Sequence, residues 1–370
     1  MSRHATLRVA LDPDRVGELL GADVRVTRLR HKPGQYTVAA LADATGPTGW
    51  LRLTPHQDRA ARDAERAARV GRRVEVVEAD GLVLVHGDLW TDPRLARVLH
   101  RAADLVDASV VVRHNPLRRL VLRRGTTQIR VTTKAQPDVH RLVPALAEES
   151  LAAAPRGRAS SRVTRWEWVP GESLDAVSGR GDLGARRAGE IAGGLLARLH
   201  QVPVPAGAHE RLPQRAGWDD GGLRATARGL AEVDAELGAR AAGLVDRLPA
   251  VPVGAPVLLH GDWSSDQLVV GEHGARMIDL DRAGSGPALQ DLASYLAVEA
   301  LRTGDPEGAG AAGLRTGYEE GGGSWPGDAA VRSASAAALL SRAKEPLRRA
   351  EPTWRDGVGC TLDLAEELLR

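Results

Sequence analysis

Short runs of alternating apolar and polar residues dominate the first half of the chain, and helical spacing dominates the second. Leu51-Arg52-Leu53-Thr54 and Gln128-Ile129-Arg130-Val131-Thr132-Thr133 alternate with period two and predict strands. Leu183–His200 places Ala188, Ile191, Leu195 and Leu199 at helical spacing, and Ala329–Arg370 predicts helices interrupted near Glu351-Pro352. Between them, Gly304–Pro326 is rich in glycine and acidic residues and predicts a flexible connection. Two short apolar runs, one before His260 and one ending at Asp279, predict a further pair of strands.

The first half carries one unit twice. Arg30-His31-Lys32-Pro33 recurs as Arg113-His114-Asn115-Pro116, and Leu51-Arg52-Leu53-Thr54 recurs as Ile129-Arg130-Val131-Thr132. Ala-rich helical segments follow at Gln57–Val70 and Pro137–Ala153, and then strands at Leu82–Gly87 and Val163–Gly171. The offsets are 83, 78 and 84 residues, a nearly constant period that marks a duplicated unit. In that alignment His86-Gly87 falls opposite Pro170-Gly171, so the tripeptide His86-Gly87-Asp88 is expected to be a turn. Pro93, five residues past Asp88, has no side-chain oxygen to offer a cation.

A chain of 370 residues, 43% hydrophobic, can bury a large core and hold two or three subdomains. No run of 18 apolar residues occurs, and the segment up to Gly17 lacks the apolar stretch of a signal peptide, so a cytoplasmic protein with no membrane partner is expected. Cys360 is the only cysteine, which rules out an intrachain disulfide. Fifty basic and 48 acidic residues are spread throughout, with no basic tail to meet nucleic acid. Only Lys32, Lys134 and Lys344 among the basic residues are lysines, so each is a candidate for a phosphate contact that needs a compact charge.

The chemistry concentrates between Val257 and Ala297. His260-Gly261-Asp262 follows the first apolar run, Gln267 lies five residues beyond Asp262, and Asp279 twelve beyond Gln267. Two carboxylates and a side-chain amide on short strands can build a Mg²⁺–nucleotide site. This stretch resembles the catalytic core of the aminoglycoside phosphotransferase and choline-kinase-like superfamily. The matching pieces are His260-Gly261-Asp262, Ile278-Asp279-Leu280 and Asp291-Leu292-Ala293, three linked motifs within about 40 residues. The resemblance implies that Asp262 aligns the attacking hydroxyl, that Asp279 ligates Mg²⁺, and that Asp291 accepts backbone hydrogen bonds beneath the loop. It implies a bracing role for His260 within the catalytic loop. Gln267 stands where the family commonly has Asn; its carbonyl is the same ligand on a longer arm, with Asp266 or a water as the alternative. Gln267 and the extra N-terminal region are similar to features of bacterial maltokinases.

The same resemblance implies that Lys134 contacts the nucleotide's phosphates and pairs with Glu148 or Glu149, Glu148 being preferred. Arg165–Gly171 reads as the hinge, with Glu167 and Val169 meeting the adenine edge and Trp168 flanking the base or packing at the junction. Arg113–Arg118 is the expected phosphate-covering loop, although it has no glycine, while Gly125-Thr126-Thr127 reads as a hairpin turn. His200 is expected to be structural. Lys344, Arg342, Trp354 and Asp356 are candidates for the acceptor wall.

The expected fold is α+β, a two-lobed protein-kinase-like fold with an extra N-terminal cap that looks like a duplicated N-lobe unit. The expected divisions are a cap at 1–105, a nucleotide lobe at 106–169 and a mainly helical catalytic lobe at 170–370. The expected reaction moves the γ-phosphate of ATP, with Mg²⁺, to a hydroxyl of a small molecule, a sugar or amino sugar before an aminoglycoside-type antibiotic. A nucleotide-binding pseudokinase is the rival from another class, and a protein kinase is disfavoured by the lack of an activation segment between Asp279 and Asp291. Monomer and homodimer are both open.

Overall fold

The repeat takes shape as two antiparallel sheets of one topology. In this computed structural model, residues 4–135, 139, 143, 145–205, 207–215, 217–249 and 254–370 are described, apart from the side chains of Ala147, Glu148 and His209. Strands β1 (Arg25–Lys32), β2 (Tyr36–Asp43), β3 (Gly46–Thr54), β4 (Glu75–Ala79) and β5 (Leu82–Asp88) pair in the order β1-β2-β3-β5-β4. Strands β6 (Val110–Asn115), β7 (Arg119–Arg124), β8 (Thr127–Thr132), β9 (Pro155–Ser160) and β10 (Val163–Glu167) pair in the order β6-β7-β8-β10-β9. The first hairpin of each sheet turns through a left-handed residue at the same repeat position, Gly34 (φ 68°) and Leu117 (φ 63°). Leucine is a poor fit to that backbone region. Here the Leu117 N–H donates to Asp92 Oδ2 at 2.7 Å, and its side chain is buried with Tyr36 and Val38 of the first sheet.

Register corrects one expectation. Leu53 pairs with Leu84 in the first sheet, and Val131 with Val163 in the second. This places Gly87 opposite Trp166 rather than Gly171, so His86 and Gly87 lie inside β5 and not in a turn. Asp88 ends the strand and caps a short turn by accepting from the Thr91 N–H at 2.9 Å. Between the sheets sits the buried carboxylate of Asp92, which the His114 ring approaches at 3.1 Å while its other nitrogen reaches the Gly49 carbonyl at 3.2 Å. Helix α1 (Gln57–Ala68) follows β3 and buries Ala60, Asp63 and Ala67. Pro137, where the matching helix of the second copy was expected to begin, lies outside the described residues.

These sheets belong to one compact unit, Met1–Gln136 with Pro155–Trp168 and Glu345–Arg355. A second unit comprises Pro137–Ala154, Val169–Lys344 and Asp356–Arg370. It holds β11 (Glu172–Ser173), β13 (Leu268–Gly271) and β14 (Gly274–Met277) in one small sheet, and β12 (Pro256–Leu259) with β15 (Gly284–Pro287) in another. Its helices include α2 (Gly181–Gln201), α3 (Leu289–Thr303), α4 (Ala309–Glu320) and α5 (Asp328–Arg342). Helix α4 falls within the stretch expected to be a flexible connection. Its glycines lie directly on α2: a Cβ at Gly317 would collide with the Glu190 carbonyl, and one at Gly193 with the Leu314 carbonyl. Close backbone packing thus overrides the poor helix propensity of glycine. Among the described residues no helix is long and apolar enough to cross a membrane.

Candidate active site

Strand β12 delivers His260 to the start of a loop whose backbone is clamped from below. The His260 N–H donates to Asp291 Oδ2 at 2.7 Å, and the Gly261 N–H to Asp291 Oδ1 at 2.9 Å. Asp291 is fully buried in the first turn of α3. His200 Nε2 stands 3.6 Å from the same carboxylate, and its Nδ1 is 2.9 Å from the Tyr318 hydroxyl. Burial, with the charge of Asp291, pushes the Tyr318 phenol up to about 12, so it stays neutral. Gly261 has φ 79°, and a Cβ there would strike the Arg282 carbonyl, so the loop turns where only glycine fits.

The His260 ring faces the other way. Its Nε2 donates to the Ile278 carbonyl at 2.8 Å, and its edge meets Trp263 at 5.4 Å between centroids. The Ile278 N–H in turn donates to the Gln267 carbonyl at 2.8 Å. The loop bearing Asp262, the turn Ser265–Gln267 and the strand end before Asp279 are thereby tied into one assembly. Asp279 itself has a left-handed backbone (φ 61°, ψ 53°), a conformation Asp tolerates better than most residues.

Asp262 is partly exposed, with Oδ1 3.1 Å from an Arg282 nitrogen and 3.4 Å from one of Arg342. Among the described residues, Oδ2 carries no hydrogen bond. Arg342 also donates to Ser294 Oγ at 2.8 Å, which fixes its guanidinium between helices α5 and α3. A third arginine, Arg215, donates to the Arg282 carbonyl at 2.8 Å. It is placed by backbone bonds beside β15, Arg215 N–H to Ser285 O at 2.8 Å and Ser285 N–H to Pro213 O at 3.0 Å. Burial, and next the charge of Arg282, lower the Arg215 guanidinium's affinity for its proton.

The donor set for a cation is oxygen only. Gln267 Nε2 donates to Asp266 Oδ2 at 2.9 Å, which leaves the amide oxygen as the atom to meet a metal, and Asp279 supplies a carboxylate. One amide, one carboxylate and the phosphates of a nucleotide are what Mg²⁺ takes, since it keeps few protein ligands. Among the described residues no group of three or more His, Cys, Asp or Glu gathers to hold a metal.

The second unit therefore brings together His260, Asp262, Gln267, Asp279 and Asp291. Val169 is buried there, and the Glu148 side chain lies outside the described part. In the first unit, Glu167 ends β10 opposite Thr127, and the Trp168 N–H donates to the Thr126 carbonyl at 2.8 Å. Arg123 lies over the Trp168 ring at 4.5 Å. Lys134 is exposed just past β8, its carbonyl accepting from Thr132 Oγ1 at 2.7 Å. Sequence reasoning missed Arg215, which sits in no motif, and Arg282.

The family model for APH, the phosphotransferase enzyme family, matches residues 98–332. The chain belongs to this family. As a phosphotransferase of the APH family it is an ATP-dependent small-molecule kinase, with a hydroxyl compound as acceptor and Mg²⁺ as the nucleotide's partner.

Solved structures with a similar fold include amicoumacin kinase hAmiN in complex with AMP-PNP, Ca²⁺ and Ami. That match has 12% identity, covers 74% of this chain and 92% of that one, and has a TM-score of 0.52. The ethanolamine kinase of Plasmodium vivax matches at 12% identity, 82% and 94% coverage and a TM-score of 0.51. The choline kinase of Cryptosporidium parvum Iowa II matches at 11%, 74% and 94%, and 0.50. These likenesses establish the two-lobed, protein-kinase-like α+β fold. No curated protein matches the sequence.

Proposed function

We propose that the enzyme transfers the γ-phosphate of ATP to a hydroxyl of a sugar-like polyol that is neutral or anionic. The observation that supports this is the frame of Arg215, Arg282 and Arg342 around Asp262. An acceptor carrying several ammonium groups needs a dense acidic lining and would be repelled by three guanidinium groups. Three acidic residues of the C-terminal segment are engaged by arginines of their own. Asp363 and Glu366 pair with Arg240 at 2.5 and 3.2 Å, and Glu345 pairs with Arg348 at 2.6 Å.

In this reading the acceptor hydroxyl donates to Asp262 Oδ2 while Oδ1 stays on the two arginines. The carboxylate orients the oxygen for in-line attack and takes its proton; the new P–O bond forms as the bond to the departing ADP breaks. His260 holds the loop through Ile278 and moves no proton. Gln267 and Asp279 would hold Mg²⁺, which supplies charge neutralisation of the phosphates when bound. Lys134 is assigned to the phosphates; the backbone of Glu167 and Val169 to the adenine edge; and Trp168 to the base face away from Arg123. The cap at 1–105, nucleotide lobe at 106–169 and catalytic lobe at 170–370 are the corresponding division of labour.

The test is Arg342→Gln assayed with the best neutral or anionic acceptor. The expected result is a KM for acceptor raised about tenfold with the KM for ATP unchanged, since one guanidinium contact to a ligand is worth roughly 1–3 kcal/mol. Better turnover on aminoglycosides than on any sugar would sink the reading.

A further inference from the structure

The first sheet carries a cavity that the kinase reaction does not use. It measures ≈ 320 Å³ and lies between the β1–β2 hairpin, β3 and helix α1. Seven of its lining side chains are cationic, and Asp63 is the one carboxylate among them. Arg30, Lys32 and Arg94 make no ion pair with any described residue. Arg52 is 4% exposed and is bound to Asp63 on one guanidinium nitrogen, yet its buried Nε has no hydrogen-bond partner among the described residues. The buried Nε of Arg59 is likewise without one. The floor is the Tyr36 ring, with Arg59 at 4.8 Å and Arg52 at 5.3 Å from its centroid.

So many cations in one small cavity repel one another, and two buried donors there lack acceptors. The charge crowding is relieved by a ligand with several clustered anionic oxygens, which the accessible guanidinium nitrogens can meet. Guanidinium forks match phosphate oxygens in pairs, and a single carboxylate or monophosphate would leave most of the charge unopposed. We propose that this cavity is a second ligand site, in the cap, for a small molecule bearing two or more phosphate groups. The site is separate from the residues around Asp262 and Asp279 and needs no divalent metal, because the arginines themselves neutralise the ligand.

The test is calorimetry of inorganic tripolyphosphate into the full chain in the presence of EDTA. Arg30→Gln/Lys32→Gln/Arg94→Gln removes three exposed cations of the cavity that make no ion pair among the described residues, Lys32 lying over the Tyr36 ring at 5.7 Å. Arg25→Gln/Arg101→Gln/Arg211→Gln removes the same charge from exposed positions outside it. The expected result is micromolar or tighter binding to the wild type, at least tenfold weaker binding of orthophosphate, and at least thirtyfold loss in the cavity variant with little change in the control. Parallel titrations with ATP and with a sugar bisphosphate identify the source of the phosphates by which of them loses most affinity in the cavity variant. Absence of tripolyphosphate binding to the wild type, or equal losses in both variants, would overturn the proposal.

Discussion

Asp291 holds the backbone N–H of His260 at 2.7 Å from within the core of the second unit. The same carboxylate takes the Gly261 N–H, so one side chain on α3 sets the path of the loop that presents Asp262. Replacement by alanine would leave two buried donors without acceptors. Asp291→Ala is expected to lose about 3 kcal/mol of stability, at roughly 1–3 kcal/mol per orphaned group. Turnover should fall more than a hundredfold at temperatures where the variant is still folded. Asp291→Asn retains one acceptor oxygen and should lose less of both. Chemical denaturation and steady-state rates on the two variants check this; equal behaviour of both with the wild type would show that the clamp is dispensable.

The packing of α4 on α2 makes a separate prediction. Gly317→Val places a branched side chain against the Glu190 carbonyl. The helices must separate, at a cost of about 3 kcal/mol or somewhat more. A melting temperature unchanged from wild type would contradict the close approach.

His31 gives the cap a pH dependence. Burial, with the neighbouring His4, lowers its pKa from 6.5 to about 4, while its Nδ1 bonds Thr37 Oγ1 at 2.8 Å. The unfolded chain therefore binds the proton first. His31's contribution is complete above about pH 6.5 and is lost as pH falls toward 4. The ring is only part-buried, so the loss is roughly 1–2 kcal/mol, less than the full shift would give. Unfolding free energies at pH 7 and pH 4.5 should differ less in His31→Gln than in the wild type; an identical pH slope would remove His31 as the cause.

The cluster around Asp262 was legible because its residues are close in sequence. His260, Asp262, Gln267, Asp279 and Asp291 lie within 32 residues, and short strands must bring them together. The duplicated sheets were legible for another reason: a turn such as Lys32–Gln35 leaves residues at fixed spacing. Register was not legible, since nothing in the alternation of β5 distinguishes an offset of 84 from one of 79. Helix α4 was hidden because its glycines satisfy a packing surface supplied by α2, about 120 residues away. Arg342 was named for the acceptor wall through the family resemblance and stands 3.4 Å from Asp262, whereas Arg215 and Arg282 reach Asp262's surroundings only through the fold, and an arginine-rich chain offers no sign of which arginines converge.

The central claim is that Asp262 activates an acceptor hydroxyl toward ATP. ADP release with Mg²⁺ should be followed over neutral sugars, sugar acids, sugar phosphates, amino sugars and aminoglycosides, with wild type and Asp262→Ala side by side. The account predicts acceptor-dependent release that is strongest on a neutral or anionic polyol. It predicts that release falls at least a thousandfold in Asp262→Ala, with ATP binding unchanged. Undiminished turnover in Asp262→Ala would contradict it.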